Sequence, residues 1–458
     1  MKKLDYDIVY FIGVGGIGMS ALARWFNASN YKVLGYDKTS TELTKNLQLE
    51  GITVHFEDSI QNIPTNSTKE NTLVIYTPAI PSTNKELAYF VANGFSIRKR
   101  AEVLGEISQA YYTVAIAGTH GKTTTSSMVA YLLHFAGVDT TGFIGGIAAN
   151  FNSNLLIGKT DKAIAVIEAD EFDRSFLHLS PDIAIITSTD ADHLDIYGDA
   201  DELKNTFKKF VGKLKEEGKL LISQKANESL DVGFGLEYGL EGNDVSAENL
   251  RIGDGVFIFD YVDIKNRIEN LELSMPGFHN VENALAAINT ALLLGVSPEK
   301  VKEGIATYKG VRRRFEFVYK SDNKVYIDDY AHHPEELKAF IASAKALYPR
   351  KKLTIVFQPH LFSRTKDFSS QFASALDKAD KVLLMEIYPA RELPIEGVNA
   401  ALILNKMQLA NKQIVGREEI IATLKKDDFE VLATLGAGDI DRLVPEIKLL
   451  LETSQRHA

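Results

Sequence analysis

The stretch Ala117-Gly-Thr-His-Gly-Lys-Thr-Thr-Thr125 decides how the middle of this chain folds. It follows the apolar run Thr113–Ala117 and precedes a helical pattern, and this order of strand, glycine-rich turn and helix start predicts a phosphate-binding loop. The Lys122 ammonium can reach β- and γ-phosphates, and the Thr123 hydroxyl can bind Mg²⁺, so we expect ATP or GTP binding. The common pattern has a glycine where this chain has Ile116, which leaves a turn without chemistry as the alternative.

Length and composition bound the class of protein. The chain has 458 residues, which at about 100–200 residues per domain predicts three domains. It has no cysteine, which excludes disulfides and thiolate chemistry and favours a reducing, cytoplasmic compartment. A net charge of −10 argues against a general nucleic-acid binder. The N-terminus does not read as a signal peptide, and the apolar run 284–296 is shorter than the roughly 20 residues that span a bilayer, so we expect no membrane insertion.

Alternating strands and helices predict an α/β protein of three domains, with boundaries at 1–104, 105–310 and 311–458. The first is expected to be Rossmann-like, with buried strands at Ile8–Ile12, Lys32–Tyr36 and Thr72–Tyr76. The central domain is expected to be an ATPase-type α/β unit with a small antiparallel β region between residues 218 and 273, where short apolar alternations are separated by Gly, Asn and Asp. The third domain is predicted to be another Rossmann-like unit.

A second glycine-rich turn, Gly13-Val-Gly15-Gly-Ile-Gly18, follows the first strand, and Asp37 lies at the distance expected of a dinucleotide fingerprint. The physical content of this pattern is a helix N-terminus opened for a pyrophosphate, which NAD, FAD and UDP-sugars all contain. The alternative is that these glycines serve only close helix–strand packing.

Acidic residues follow two central strands, in Glu168-Ala-Asp170-Glu-Phe-Asp and in Asp190-Ala-Asp192-His193-Leu-Asp195. Ligands of parallel sheets bind beyond the carboxyl ends of strands, so we expect both clusters beside the phosphate-binding loop. Carboxylates suit Mg²⁺, which makes Glu168 the first predicted metal ligand, with His193 as a ligand of a second metal or a residue that orients water. Helix capping is the alternative for the acidic residues.

Basic and aromatic residues mark the third domain. Arg312-Arg-Arg314 stands at its predicted start, where it is either a solvated face or places Arg314 on a γ-phosphate. Two strand ends carry Asp328-Asp-Tyr330-Ala-His332-His-Pro and Gln358-Pro-His360-Leu-Phe-Ser-Arg364. A pocket of His, Tyr and Arg suits a small substrate with a carboxylate and an amine, because Arg pairs with carboxylates in bidentate fashion. N-capping explains some of these residues but not His332, His360 and Arg364 together.

These motifs, with His279-Asn280-x-x-Asn283 and Arg313-Arg-Phe-Glu, resemble the Mur ligases of peptidoglycan synthesis across all three segments. The resemblance implies a UDP-sugar-binding domain, a central ATPase domain and an amino-acid-binding domain. Within the family, the stretches from Gly13 to Ser20 and from Gln358 to Arg364 look most like the alanine-adding branch. The implied reaction is ATP-dependent ligation of L-alanine to the lactyl carboxylate of UDP-N-acetylmuramate through an acyl phosphate. The implied cofactors are ATP and Mg²⁺, for which Mn²⁺ can substitute, and the expected assembly is a monomer or weak homodimer.

Residue roles follow from the same resemblance. Lys122, His193 and Arg314 are the implied catalytic residues. The implied ATP-binding residues are Gly118, Thr119, His120, Gly121, Lys122, Thr123, Thr124, Asn280, Asn283 and Arg314. The implied UDP-sugar-binding residues are Gly13, Gly15, Gly16, Gly18, Ser20 and Asp37. Alanine is expected at Tyr330, His332, His360 and Arg364, and metal at Thr123, Glu168 and His193. Some members carry an additional Arg where this chain has Leu361, so binding of the alanine carboxylate would depend mainly on Arg364.

Three other functions compete with this hypothesis. A sister ligase would add another amino acid or a peptide to the same sugar nucleotide on the same scaffold. An NAD-dependent dehydrogenase built on Gly13–Asp37 would leave Lys122, Glu168 and His193 without roles. A non-enzymatic nucleotide-gated protein would bind ATP without turnover stimulated by substrate.

Overall fold

The computed structural model describes residues 5–191, 194–253, 256–390 and 392–455. The chain forms two compact units. Unit 1 comprises Met1–Glu248, Asp260–Leu271 and Glu282–Lys309, and unit 2 comprises Asn249–Phe259, Glu272–Val281 and Gly310–Ala458. No helix in the described part of the chain combines the length and apolar character needed to cross a membrane.

Unit 1 begins with a parallel five-stranded sheet in the order β3-β2-β1-β4-β5. Its strands are β1 (Ile8–Ile12), β2 (Lys32–Tyr36), β3 (Thr53–His55), β4 (Thr72–Tyr76) and β5 (Ser96–Lys99). The accompanying helices are α1 (Ile17–Ala28), α2 (Glu42–Leu49), α3 (Lys85–Ala92) and α4 (Arg100–Ala110), with a 3₁₀ turn at Ile60–Asn62. The predicted bounds of β1, β2 and β4 are confirmed. The predicted domain boundary at residue 104 falls inside α4.

Strand β1 shows why continuous apolar runs form the centre of this sheet. Val9 and Phe11 pack in one core cluster, whereas Tyr10 and Ile12 pack in another. Successive side chains of a strand point to opposite faces, so both faces of the sheet are buried. The predicted doubly wound arrangement is therefore confirmed for this part of the chain.

The second sheet has ten strands in the order β15-β14-β13-β12-β11-β10-β6-β9-β7-β8. They are β6 (Tyr112–Ala117), β7 (Thr140–Ala148), β8 (Ser153–Leu156), β9 (Ile164–Glu168), β10 (Ile183–Ile186), β11 (Lys219–Ser223), β12 (Leu236–Gly239), β13 (Val245–Gly253), β14 (Val256–Val262) and β15 (Arg267–Leu273). Its helices are α5 (Lys122–Phe135), α6 (Leu194–Tyr197), α7 (Ala200–Val211), α8 (Gln224–Leu230), α9 (Phe278–Leu293) and α10 (Pro298–Thr307), with a 3₁₀ segment at Phe172–His178. Strands β7, β9, β6 and β10 pair in parallel.

The predicted antiparallel region between residues 218 and 273 is smaller than expected. Strand β11 pairs with β10 and β12 in parallel, and β12 pairs with β13 in parallel, so this part extends the parallel sheet. Strands β13, β14 and β15 are consecutive neighbours joined by two and four residues. At about 3.3–3.6 Å per residue these connections cannot return the chain to the start of a long strand, so these three strands run antiparallel.

Unit 2 contains a six-stranded sheet in the order β16-β17-β21-β18-β19-β20. Its strands are β16 (Glu316–Lys320), β17 (Val325–Asp329), β18 (Leu353–Phe357), β19 (Lys381–Leu384), β20 (Lys412–Ile414) and β21 (Val431–Leu435). Its helices are α11 (Pro334–Leu347), α12 (Phe362–Leu376), α13 (Ala401–Leu404), α14 (Ile420–Lys425) and α15 (Val444–Gln455), with 3₁₀ turns at Arg417–Glu419 and Asp439–Leu443. Only the edge strand β16 pairs antiparallel among the pairings described. The carboxyl ends of β17, β21 and β18 therefore lie side by side.

Candidate functional site

The glycine-rich turn predicted to bind phosphate lies between the carboxyl end of β6 and the start of α5, and phosphate binding itself stays a prediction. Its last residue, Gly121, has φ of 82° and caps helix α5, and Gly118 has φ of 138°. These angles favour glycine, and a Cβ at Gly121 would lie 2.6 Å from Oδ1 of Asn283. The loop consequently leaves its backbone close to any ligand at the start of α5, as the sequence predicts.

Lys122 is held by the loop and by an acidic residue that follows β9. Its Nζ donates to the Gly118 carbonyl at 2.6 Å and to Oε1 of Glu171 at 2.9 Å. Burial lowers the pKa of Lys122, but the Glu171 carboxylate raises it, and the resulting pKa lies above the ordinary value. The ammonium therefore remains charged in its buried position. The sequence points to Asp170 and Glu171 equally, so the identity of this partner was not predicted.

Thr123, the residue after Lys122, pairs with Glu168 at the end of β9. The Thr123 hydroxyl donates to Oε1 of Glu168 at 3.0 Å, and the Gly145 N–H donates to Oε2 at 2.8 Å. A methyl group at Gly145 would overlap the carboxylate, so a side chain there would displace Glu168 from this position. A hydroxyl and a carboxylate beside a phosphate-binding loop fit Mg²⁺, which takes one or two protein oxygens together with phosphate oxygens.

The remaining metal prediction concerns His193. This residue and Asp192 lie outside the described residues. Among the residues that are described, no group of three or more His, Asp or Glu side chains is arranged to hold a metal ion.

The segment that follows strand β10 also contacts the glycine-rich turn, through Ser188, for which the sequence contains no motif. The Ser188 hydroxyl accepts from the His120 N–H at 2.7 Å and lies 2.9 Å from the Thr119 hydroxyl. On the opposite side, Thr125 donates to Oδ1 of Asn283 at 3.1 Å. Asn283 thus contacts α5, and its role in nucleotide binding stays a prediction. Asn280 belongs to unit 2, where its amide donates to the Pro276 carbonyl at 2.7 Å.

The first glycine-rich turn is ordered by Asp37. The Gly15 N–H donates to Oδ2 of Asp37 at 2.8 Å, and a Cβ at Gly15 would lie 2.7 Å from the same oxygen. Gly16 caps α1, whose N-terminus is therefore open at this turn. Ser20, predicted to bind the UDP-sugar, is buried, and its hydroxyl donates to the Ile17 carbonyl at 2.9 Å. In this structure Ser20 therefore stabilises the start of α1 through this hydrogen bond.

A cavity of about 330 Å³ in unit 1 is lined by part of each site. Gly16 and Gly18 line it from the turn that begins α1, and Gly145 and Glu168 line it beside the end of β9. The remaining lining residues are Ile17, Met19, Ala21, Leu22, Thr77, Ala79, Arg100, Leu104, Phe143, Ile144 and Asp170. A ligand whose diphosphate lies on α1 can therefore extend toward the Thr123–Glu168 pair. This shared cavity was not predictable from the two motifs taken separately.

The four residues predicted to bind an amino acid lie together in unit 2. Nδ1 of His332 lies 2.9 Å from the Tyr330 carbonyl oxygen, and the His332 and His360 ring centroids are 5.9 Å apart. Nη1 of Arg364 lies 3.4 Å from Nδ1 of His360. Their convergence follows from the sheet order, since these residues come after β17 and β18. The prediction that they form one cluster is confirmed, whereas their role in alanine binding stays a prediction.

Arg314 lies beside this cluster. Its guanidinium is 5.1 Å from the Tyr330 ring centroid and 3.9 Å from Oε1 of Glu336. Contact with a γ-phosphate remains a prediction. The neighbouring Arg313 donates to the Gly436 carbonyl at 2.6 Å and to Oδ2 of Asp328 at 3.3 Å.

A third glycine-rich turn, Gly436-Ala-Gly438, follows β21 between the two predicted strand ends and was not singled out from the sequence. A Cβ at Gly438 would lie 2.5 Å from Oε1 of Gln358 and 2.6 Å from Cβ of Tyr388. Leu361, the position that departs from some relatives, has φ of 71° at the start of α12, and its N–H donates to the Tyr388 carbonyl at 3.0 Å. Close backbone packing therefore shapes this end of the sheet. In the sequence, this turn is marked by two closely spaced glycines after an apolar run.

Asp329 gives unit 2 a pH-dependent stability. Burial raises the pKa of its carboxyl to about 6, although the Arg314 guanidinium and two backbone N–H groups oppose the shift. The folded state consequently binds more protons than the unfolded state between about pH 4 and 6, and stability falls as the pH rises through this range.

We expect Asp329→Asn to make the free energy of unfolding less dependent on pH. Between pH 4.5 and 7, the free energy of unfolding should fall by about 2 kcal/mol less in the variant than in the unchanged protein, as measured by urea unfolding. Asp322→Asn, at an exposed position of the same unit, is the matched control. Parallel pH curves for Asp329→Asn and the unchanged protein would contradict the raised pKa.

Comparison with known proteins places these sites in one family. Models described as "Mur ligase family, catalytic domain", "Mur ligase middle domain" and "Mur ligase, glutamate ligase domain" match residues 8–112, 116–291 and 313–438. The chain belongs to the Mur ligase family. Its fold is thus the three-domain α/β fold of the Mur ligases, which the sequence motifs predicted.

Individual Mur ligases are similar over nearly the whole chain. UDP-N-acetylmuramate–L-alanine ligase of Flavobacterium johnsoniae is 49% identical over 98% of this chain and 99% of its own length. The enzyme of the same name from Cytophaga hutchinsonii is 48% identical over 99% of this chain and 98% of its own length. The crystal structure of UDP-N-acetylmuramate-alanine ligase from Thermotoga maritima superposes with a TM-score of 0.82, at 28% identity, covering 97% of this chain and 99% of that one.

Proposed function

We propose that this Mur ligase joins L-alanine to the lactyl carboxylate of UDP-N-acetylmuramate at the expense of ATP, in peptidoglycan precursor synthesis. The observation that carries this proposal is the cavity lined by the open N-terminus of α1 and by Glu168, the carboxylate to which Thr123 donates. It allows a nucleotide-sugar to be bound at one end and its carboxylate to be presented at the other. The similarity to alanine-adding ligases over 98% of the chain supports the choice of substrates.

The proposed reaction has two steps. A lactyl carboxylate oxygen attacks the γ-phosphorus of ATP, the bond to the β-phosphate oxygen breaks, and ADP leaves, which produces an acyl phosphate. The neutral amine of alanine then attacks the acyl carbon, a tetrahedral intermediate forms, and inorganic phosphate leaves as the amine proton is lost. Positioning and neutralisation of charge are the main tasks of the protein in such a transfer.

The central domain performs the first step in this proposal. The backbone of residues 118–124 binds the phosphates, and the charged Lys122 neutralises the β- and γ-phosphates. Thr123 and Glu168, together with His193, would hold Mg²⁺, which when bound neutralises phosphate charge. Asn280 or Asn283 would contact the adenine, and Arg314 the γ-phosphate. The proposed extents of the domains are residues 1–104, 105–310 and 311–458.

The UDP-sugar would lie on the turn formed by Gly13, Gly15, Gly16 and Gly18. In this arrangement Asp37 and Ser20 act mainly by ordering the turn, through the contacts described above. The reaction is placed in the cytoplasm, where ATP and the nucleotide-sugar are found together, and the enzyme is proposed to act as a monomer or weak homodimer.

The experiment that tests this function measures phosphate release from ATP with and without UDP-N-acetylmuramate and L-alanine. We expect release to require both compounds, and Mg²⁺. The sister-ligase alternative predicts release with another amino acid or a peptide in place of alanine. Release that is independent of the nucleotide-sugar would contradict both.

Arg364 provides a separate test of the amino-acid site. The side chain is buried beside His360, and a guanidinium at that position can pair with a carboxylate in bidentate fashion. Arg364→Ala should raise KM for alanine by about 10- to 100-fold while KM for ATP changes little, since a charge-assisted hydrogen bond is lost. Arg364→Lys should recover part of the affinity. Arg350→Ala, an exposed position, is the control, and equal effects on both KM values would indicate a structural role.

A further inference from the structure

Arg100 lines the cavity of unit 1 and has no role in the function proposed above. It is the first residue of α4 and follows β5 at the carboxyl edge of the first sheet. A methyl group at Gly18 would overlap its guanidinium, so the cation packs directly on the first turn of α1. The guanidinium therefore stands beside the helix N-terminus at which the diphosphate of a nucleotide-sugar is expected.

The partner of Arg100 in this structure is Asp170, which also lines the cavity. Nη2 of Arg100 lies 3.4 Å from Oδ2 of Asp170, and the side chains are 21% and 38% exposed. The distance is long for a charge-assisted hydrogen bond, and partly exposed ion pairs contribute little stability. This pair is consequently easy to break.

A diphosphate is a stronger partner for this guanidinium than a single carboxylate. It carries more charge and presents several oxygens, which match the planar fork of N–H donors in Arg. It would also be held by the backbone N–H groups of α1, so Arg100 would add to a site that is already favourable for anions. Asp170 and the diphosphate are therefore competitors for one cation.

We propose that Arg100 is a ligand of the substrate diphosphate, and that it exchanges the Asp170 carboxylate for this diphosphate when the nucleotide-sugar binds. The inference deepens the proposed function and depends on it, because it requires a nucleotide-sugar in the cavity. The exchange releases Asp170, which lies in sequence next to Glu171, the residue that holds Lys122. Occupation of the first site would thus change the charge arrangement beside the phosphate-binding loop.

The test is calorimetric binding of UDP and of UDP-N-acetylmuramate, without ATP or Mg²⁺. Arg100→Gln should weaken the binding of both ligands by about 10- to 100-fold, since a bidentate phosphate contact is lost. Asp170→Asn should strengthen the binding of both ligands by about two- to fivefold, because the carboxylate that competes for Arg100 is removed. Lys99→Gln, the neighbouring cation that lies 3.6 Å from Asp173, is the matched control and should stay within twofold.

Opposite signs for the two variants are the decisive result. If the pair were only a structural bridge, both variants would weaken binding or neither would change it, and the proposal would be overturned. If Arg100 bound the lactyl carboxylate instead, Arg100→Gln would weaken the binding of UDP-N-acetylmuramate and leave the binding of UDP unchanged. That result would also overturn the proposal. Unchanged thermal melting of each variant establishes that the comparison is made on folded protein.

A double variant separates competition from simple charge repulsion. Removal of Asp170 also lowers the negative potential of the cavity, an effect that does not need Arg100. In the Arg100→Gln background, Asp170→Asn should therefore lose most of its strengthening effect. Full retention of that effect would contradict the exchange. Failure of the unchanged protein to bind UDP would refute the UDP-sugar site itself, whereas equal UDP binding by unchanged protein and Arg100→Gln would refute only the inference.

Discussion

Lys122→Ala is expected to lower kcat by about 10³-fold or more, the largest effect of any single substitution considered for this enzyme. The ammonium is the charged group that the phosphate-binding loop places at the start of α5, and loss of a preorganised charge at a transferring phosphate removes transition-state stabilisation directly. Single-turnover phosphate release from ATP, in the presence of both other substrates, measures this loss.

The same substitution is expected to destabilise the protein, and this effect must be separated from the first. Glu171 has a side chain that is 1% exposed, and removal of Lys122 deprives its buried carboxylate of that counterion, which typically costs about 3–5 kcal/mol. The double variant Lys122→Ala/Glu171→Gln should recover most of the thermal stability without recovering activity. Lys159→Ala, an exposed position in the same unit, is the control for both readouts. Near-normal turnover in the double variant would contradict a phosphate-binding role for Lys122.

Glu168→Gln is expected to lower kcat by about 10²- to 10³-fold and to raise the Mg²⁺ concentration needed for half-maximal activity. The substitution preserves the size of the side chain but removes the charge, and a metal that binds few protein oxygens depends strongly on each carboxylate. The exchange also replaces one of two acceptor oxygens, which the Thr123 hydroxyl and the Gly145 N–H occupy.

The Mg²⁺ titration distinguishes the metal role from a structural one. Glu217→Gln, an exposed change of the same kind, should leave both kcat and the titration unchanged. If Glu168→Gln lowered activity but shifted neither the midpoint of the titration nor its slope, Glu168 would act only by holding Thr123 and Gly145 in place.

The sequence predicted those parts of the site whose chemistry is local. The phosphate-binding loop was predictable because a strand, a short turn with two glycines and a lysine follow one another in the sequence. Glu168 was predictable because it stands at the end of a buried strand. The cluster of His332, His360 and Arg364 was predictable for the same reason, because carboxyl ends of parallel strands share one edge of a sheet. In each case short-range pattern and sheet geometry were sufficient.

Partners that depend on side-chain direction could not be predicted in this way. Asp170 and Glu171 are adjacent and chemically similar, yet only Glu171 hydrogen-bonds to Lys122 among the contacts described, whereas Asp170 pairs with Arg100. The chain turns sharply just afterwards, with φ of 54° at Asp173, an angle that nothing in the local composition requires. The parallel pairing of β11 and β12 was missed because short, punctuated apolar strands are also typical of hairpins.

In the proposed reaction, the carboxylate of the nucleotide-sugar is phosphorylated before alanine attacks. The most direct measurement uses UDP-N-acetylmuramate with both lactyl carboxylate oxygens labelled with ¹⁸O, incubated with ATP, Mg²⁺ and L-alanine, and follows the label by mass spectrometry. We predict one ¹⁸O atom in each inorganic phosphate released and the other in the new amide carbonyl. Unlabelled phosphate in the presence of amide product would contradict the account.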